Sequence, residues 1–134
     1  MSEPNLWRAS STEHFAAPAL DHDLTVDLAV IGGGFTGLAA ALEAARQGAS
    51  GCVLEAETLG HGGSGRNVEL ANAGLWLPPE TVVAQMGATA GHRLISALAA
   101  APSRVFDLIA REGIACEPTR NGTLHLAHAP SGLK

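Results

Sequence analysis

Residues 24–48 have the sequence LTVDLAVIGGGFTGLAAALEAARQG, in which a β-rich apolar run ends at three consecutive glycines and a helical pattern follows. The nearly continuous apolar run is typical of a strand that is covered on both faces in a parallel sheet. From Phe35 onward, one helical stripe carries Leu38, Ala41, Leu42 and Ala45. Gly48 suits the end of this helix. The stretch therefore predicts a strand, a glycine turn and a helix in succession.

The glycines at this turn have the spacing Gly32-x-Gly34-x-x-Gly37. The first glycine permits a tight turn out of the strand, and the second lets backbone N–H groups approach a pyrophosphate. The third lets the helix pack closely on the strand. The start of the helix adds unpaired N–H donors and the positive end of the helix dipole. This pattern predicts that the turn binds a dinucleotide.

A second short apolar strand is predicted over residues 52–54, and Glu55 follows it directly. This carboxylate lies 23 positions after Gly32, close to the spacing of about 20 in dinucleotide-binding units. An acid there accepts hydrogen bonds from the ribose hydroxyls of an adenosine, and it would repel the 2′-phosphate of NADP. Parallel strands joined through a helix form a right-handed crossover. We therefore predict a doubly wound α/β fold, with a Rossmann-like domain built on a parallel sheet.

The segment that follows Glu55 distinguishes FAD from NAD as the predicted cofactor. Residues 57–78 are rich in Gly, Ser and Asn and predict a second ordered loop, whereas an NAD domain usually continues with alternating helix and strand. Two loops in this arrangement suit a longer cofactor and favour FAD. Helical character then runs from Pro79 to about Glu112, where Gly87 and Pro102 are expected to divide or kink it. A further strand is predicted over residues 123–128.

Composition and charge exclude several other functions. The net charge of −5 gives no basic face for nucleic acid, and the longest uncharged apolar stretch has 15 residues, short of the roughly 20 that cross a membrane. Cys52 and Cys116 have no CxxC spacing, and the N-terminus lacks a signal peptide, which together predict a cytoplasmic protein. His125 and His128 point to opposite faces of the predicted strand, so no metal site is expected.

The run from Val30 to Asn67, VIGGGFTGLAAALEAARQGASGCVLEAETLGHGGSGRN, resembles the N-terminus of the D-amino-acid oxidase-like FAD-dependent oxidoreductases. Within that family it is most similar to the branch of glycine/sarcosine oxidase, γ-glutamylputrescine oxidoreductase and L-pipecolate oxidase. The GSGRN stretch and the upstream Leu6-Trp7 are the features closest to this branch. One departure follows Asn67, since close relatives often have two glycines there and this chain has Val68-Glu69-Leu70.

This resemblance implies FAD as cofactor and oxidation of the C–N bond of an amine or amino acid, with hydride transfer to the flavin. It assigns the pyrophosphate to Gly32, Gly33, Gly34, Phe35, Thr36 and Gly37. It assigns the adenosine ribose to Glu55, and it lines the cofactor towards the flavin ring with Ser64, Gly65, Arg66 and Asn67. Some relatives attach the flavin through a histidine in this loop. The matching position here is Asn67 or Val68, not His61, so noncovalent FAD is expected.

The resemblance also implies a division of the chain into an irregular lead-in over residues 1–23, the N-terminal part of an FAD-binding domain over 24–115, and the start of a mainly β substrate domain over 116–134. On this interpretation the fold is incomplete, the catalytic residues lie beyond Lys134, and these residues alone are inactive. Two alternatives remain open at the level of the sequence. One is an NAD-dependent dehydrogenase domain, and the other is a non-catalytic, truncated nucleotide-binding protein.

Overall fold

The computed structural model describes residues 6–13, 15–124 and 126–133. They form two compact units, Met1–Val68 and Glu69–Lys134. The first unit contains helix α1 (Leu6–Ser10), strand β1 (Leu28–Ile31), helix α2 (Phe35–Arg46), strand β2 (Gly51–Leu54) and a 3₁₀ turn (Ser64–Arg66). The second unit contains helix α3 (Pro79–Met86), helix α4 (Ala88–Glu112) and a 3₁₀ turn (Pro130–Leu133).

Strands β1 and β2 form the predicted parallel pair, in a register that joins Leu28 to Gly51 and Ile31 to Leu54. The side chain of Asp27 joins the N-terminal ends of the two strands. Its Oδ2 accepts hydrogen bonds from Ser50 Oγ at 2.7 Å and from Ser50 N at 2.9 Å. These bonds, the hydroxyl bond first, lower the pKa of Asp27. The strands are thereby held in register before they reach the glycine turn.

Helix α2 connects the two strands, as the helical stripe predicts, and packs against both of them. Its last residue is Arg46, directly after the last stripe residue Ala45, and Gln47 is the C-cap. Gly48 then takes a φ of 83°, a left-handed conformation that favours glycine. The crossover of strand, helix and parallel strand agrees with part of a Rossmann-like FAD domain.

The predicted cover on both faces of β1 is wrong for the described part of the chain. Leu28 and Val30 are half-buried, whereas Ala29 and Ile31 are exposed, Ile31 to 90%. The reason is that α2 covers one face only, so the continuous apolar run becomes an alternating pattern of burial. Cys52, which lies in β2, is half-buried.

In the second unit, α3 and α4 pack on each other, and Val82 is buried between them. Gly87 separates the helices as predicted, with a φ of 78°. Gly91 lies so close to α3 that a Cβ there would be 2.8 Å from Val83 Cα. Pro102 lies inside α4 and does not end it, since an interior proline removes one backbone hydrogen bond and can leave the helix continuous. Helix α4 ends at Glu112, and Gly113 caps it with a left-handed φ of 62°.

Two predicted segments differ from the structure. The lead-in is not irregular throughout, since it contains α1. The strand predicted over residues 123–128 is absent at 123, 124 and 126–128, because these residues pair with no other strand; His125 lies outside the described residues. Across the described residues, no helix is both long and apolar enough to span a membrane. In that same part of the chain, His, Cys, Asp and Glu side chains form no cluster of three or more suited to a metal ion.

Candidate functional site

The glycine turn begins where β1 ends. Gly32 takes a φ of 104° and donates its N–H to Leu54 O at 2.8 Å, which extends the pairing of the two strands by one bond. The next glycine, Gly33, is buried. Its N–H donates to Glu55 Oε2 at 2.7 Å. The turn after β1 and the acid after β2 therefore meet at one edge of the sheet.

Glu55 is half-buried at this edge, and backbone N–H groups surround its carboxylate. The bond from Gly33 lowers the pKa of Glu55 most, the bond from Glu57 N to Oε1 at 3.1 Å lowers it further, and burial acts in the opposite direction. The carboxylate is therefore ionised at neutral pH. Because an ionised carboxylate has about four acceptor positions, it keeps capacity for a ribose hydroxyl while it holds the turn.

The start of α2 presents unsatisfied donors. Gly34 is the N-cap residue and provides no side-chain cap. The N–H of Phe35 donates to Ser64 Oγ at 3.0 Å. Within the described part of the chain, the N–H groups of Gly34, Thr36 and Gly37 donate to no acceptor. Three free donors at the positive end of a helix have the charge and the geometry that suit an anion.

Close approach explains why this turn is built from glycine. A Cβ at Gly34 would lie 2.8 Å from Ser64 Oγ, and one at Gly33 would lie 2.5 Å from Leu59 Cδ2. A Cβ at Gly37 would overlap Gly32 O, which is how the helix approaches the end of β1. The backbone is thus bare where the free N–H groups lie. A cradle of this kind, with a carboxylate beside it, fits the diphosphate and ribose of an adenine dinucleotide.

The glycine-rich part of the second loop, residues 58–67, lies against the glycine turn, as predicted. Gly60 N donates to Gly33 O at 2.9 Å, and Gly65 N donates to Gly60 O at 2.9 Å. A Cβ at Gly65 would overlap Gly60 O, so this turn also requires glycine. The loop therefore touches the glycine turn at two points, through Gly60 on Gly33 and through Ser64 on Phe35.

The predicted site residues separate into two groups. The structure brings together eight of them at the turn: Gly32, Gly33, Gly34, Phe35, Thr36, Gly37, Glu55 and Ser64. Gly65 joins them through Gly60. Arg66 is exposed, and its guanidinium forms no hydrogen bond or ion pair among the described residues, although its backbone N–H donates to Gly63 O at 3.2 Å. The carbonyl of Asn67 accepts a hydrogen bond from Trp7 Nε1 at 2.7 Å.

Three residues that contact the site were not among the predicted site residues. Gly60 and Leu59 contact Gly33, and Trp7 contacts the end of the second loop. The run of glycines after Leu59 is a signal that could have identified Gly60. Neither Leu59 nor the contact of Trp7 has a comparable signal, because both depend on tertiary packing.

Comparison with known proteins identifies the family. The family model for FAD dependent oxidoreductases of the DAO type matches residues 27–134. The chain belongs to this family. Its members use FAD, and the cradle described above is the part of this chain that fits it.

Two curated proteins are similar in sequence to part of this chain. Gamma-glutamylputrescine oxidoreductase from Escherichia coli (strain K12) is 43% identical over 61 residues, which cover 46% of this chain and 14% of the relative. A Haemophilus influenzae protein named Probable oxidoreductase OrdL is 38% identical over 85 residues, covering 63% of this chain and 20% of the relative. The chain thus spans a fifth or less of the relatives it matches. No solved structure matches it significantly.

Proposed function

We propose that this chain binds FAD noncovalently and belongs to an oxidoreductase that oxidises the C–N bond of an amine or amino acid. The residues that would bind FAD are those of the glycine turn (32–37), Glu55 and the segment 64–67. The observation that carries the first part is the cluster of free N–H groups at Gly34, Thr36 and Gly37 beside the ionised Glu55. The second part rests on the relative whose name specifies a substrate, gamma-glutamylputrescine oxidoreductase.

Each element of the cradle has a distinct task in this proposal. The free N–H groups at the start of α2 bind the diphosphate, because they and the helix dipole complement its negative charge. Glu55 accepts hydrogen bonds from the ribose and at the same time fixes Gly33. The loop of Ser64, Gly65, Arg66 and Asn67 follows the cofactor beyond the diphosphate, with Arg66 offering a cation that has no other partner among the described residues.

When bound, FAD supplies the capacity to accept a hydride from the substrate carbon. The residues of this chain contribute binding and orientation, and none of them is assigned to hold the substrate. We therefore expect FAD binding without turnover of an amine from these 134 residues. A peroxide assay with putrescine, γ-glutamylputrescine, glycine or sarcosine checks this expectation, and peroxide formation would contradict it. A cytoplasmic location stays a prediction.

FAD titration of the purified chain, followed by flavin fluorescence, tests the cofactor assignment. We expect saturable FAD binding and much weaker binding of NAD⁺. Gly34→Ala is expected to weaken FAD binding, because the new methyl group occupies the space between Ser64 and the free N–H groups. Gly62→Ala is the matched control, since a Cβ at Gly62 meets nothing within 4 Å.

The opposite result would identify an alternative. Saturable NAD⁺ binding without FAD binding would support the dehydrogenase domain, and binding of neither would support a non-catalytic product. Equal FAD affinity in Gly34→Ala and the wild type would place the cofactor away from this cradle.

A further inference from the structure

We propose that Trp7 is a positioning residue, which holds the second glycine-rich loop in the place where it receives the part of FAD beyond the adenosine. The inference rests on the proposed FAD function and extends it to a residue outside the dinucleotide unit. The hydrogen bond that the Trp7 indole donates goes to Asn67 in the second loop, so its effect on the cofactor would pass through residues 58–67.

The contact itself is specific. The indole Nε1–H of Trp7 donates to the carbonyl of Asn67 at 2.7 Å, across 60 positions of sequence. Trp7 is half-buried, whereas the other residues of α1 are exposed. The neighbouring Arg8 donates from Nη1 to Thr58 Oγ1 at 3.3 Å. Helix α1 therefore contacts the loop at both of its ends.

These contacts complete a set of four around the loop. Two join it to the glycine turn, from Gly60 N to Gly33 O at 2.9 Å and from Phe35 N to Ser64 Oγ at 3.0 Å. The other two join it to α1, through Thr58 and Asn67. Asn67 is the residue that ends the 3₁₀ turn of Ser64. The 3₁₀ turn begins at Ser64, whose hydroxyl accepts the N–H of Phe35. The bond from Trp7 to the carbonyl of Asn67 therefore fixes the other end of the same turn.

Helix α1 is too short to be stable without tertiary contacts. It has five residues, and isolated helices shorter than about 12 residues are marginal in water. Among the described elements, the 3₁₀ turn Ser64–Arg66 is its main neighbour. Trp7 is the half-buried residue of α1 and, with Arg8, is one of the two side chains through which the helix bonds to the loop.

The test separates the loop from the adenosine end of the site by comparing FAD with ADP. Trp7→Phe keeps an aromatic ring and removes the N–H donor. Loss of one such hydrogen bond is expected to raise the Kd for FAD about three- to tenfold. The Kd for ADP should stay within about twofold of the wild type, because Glu55 and the glycine turn hold that ligand. Trp7→Ala should raise the Kd for FAD further.

The chain provides a matched control, since its only other tryptophan is Trp76, which is 89% exposed in the second unit. Trp76→Phe should leave both affinities unchanged. Unaltered FAD affinity in Trp7→Phe, or equal weakening of FAD and ADP, overturns the inference, because the second result means general destabilisation. Absence of FAD binding by the wild type overturns the proposed function and this inference with it. FAD binding that is insensitive to Trp7→Phe overturns the inference alone.

Discussion

The carboxylate of Glu55 accepts a hydrogen bond from the backbone N–H of Gly33 over 2.7 Å, so the acid after β2 lies directly beside the turn after β1. The relationship follows from parallel pairing. The carboxyl ends of adjacent parallel strands meet at the same edge of a sheet, which is where α/β folds bind ligands. One ionised side chain thereby orders the glycine turn and remains available to a ribose.

The pH dependence of stability should report this bond. The pKa of Glu55 is lowered by folding, first through Gly33 and then through Glu57. The stabilisation is therefore present above the ordinary glutamate pKa of about 4.3, and it is lost as the pH falls through the lower, folded value. Glu55→Gln should lose less stability than the wild type between neutral and acid pH, as measured by urea unfolding midpoints.

Glu57→Gln is the control for this series, since it removes a neighbouring carboxylate and keeps the N–H that donates to Glu55. It should retain the pH response of the wild type. The hydrogen bonds between Asp27 and Ser50 cause a separate loss of stability at acid pH, because they lower the pKa of Asp27. Both variants keep these bonds. Identical pH responses in Glu55→Gln and the wild type would mean that the Gly33 bond does not stabilise the fold in solution.

Gly37 should tolerate no side chain. A Cβ there would overlap Gly32 O and lie 3.0 Å from Val30 Cγ1, and the backbone oxygen has no freedom to withdraw. Gly37→Ala is expected to cost about 3 kcal/mol of unfolding free energy, the upper range for overpacking, and to abolish FAD binding. Calorimetric melting of the variant beside Gly62→Ala checks this. Similar melting of the two variants would show that α2 does not approach β1 as closely as described.

Much of the dinucleotide unit could be predicted because its determinants are local. The apolar run, the glycine spacing and the position of Glu55 depend on short-range conformation, and the structure has β1, α2 and β2 in that order. The proximity of Ser64 to the turn also agrees with the prediction of a second loop. The domain boundary at 115–116 stays a prediction.

Other features depend on partners that a pattern cannot identify. The apolar run of β1 predicted two covered faces, but Ile31 is exposed because burial is decided by the helices that pack nearby. The residues of the predicted strand over 123–128 that the structure describes have no pairing partner. Trp7 belongs to a polar lead-in without helical periodicity, so its contact with Asn67 becomes visible only in three dimensions.

Glu69 should be a strained position. Its φ is 60°, in the left-handed region that favours glycine. The family resemblance places glycine at or beside this position. Glu69→Gly should therefore raise the unfolding free energy by about 1 kcal/mol, the lower range of such strain, as measured by urea unfolding. Glu69→Ala keeps the Cβ and should show no gain; a gain in both variants would assign the effect to the carboxylate instead.

The flavin should be released by denaturation. Covalent attachment needs a nucleophilic side chain at the flavin, and the positions of this loop that match the histidine of some relatives are Asn67 and Val68, an amide and a hydrocarbon. His61 lies earlier in the loop, where its backbone N–H donates to Thr58 O at 2.9 Å. After the chain is loaded with FAD and precipitated with acid, the yellow colour is expected in the supernatant, and His61→Ala should give the same result. Colour that stays in the pellet of the wild type and moves to the supernatant in His61→Ala would make His61 the attachment site and contradict the noncovalent assignment.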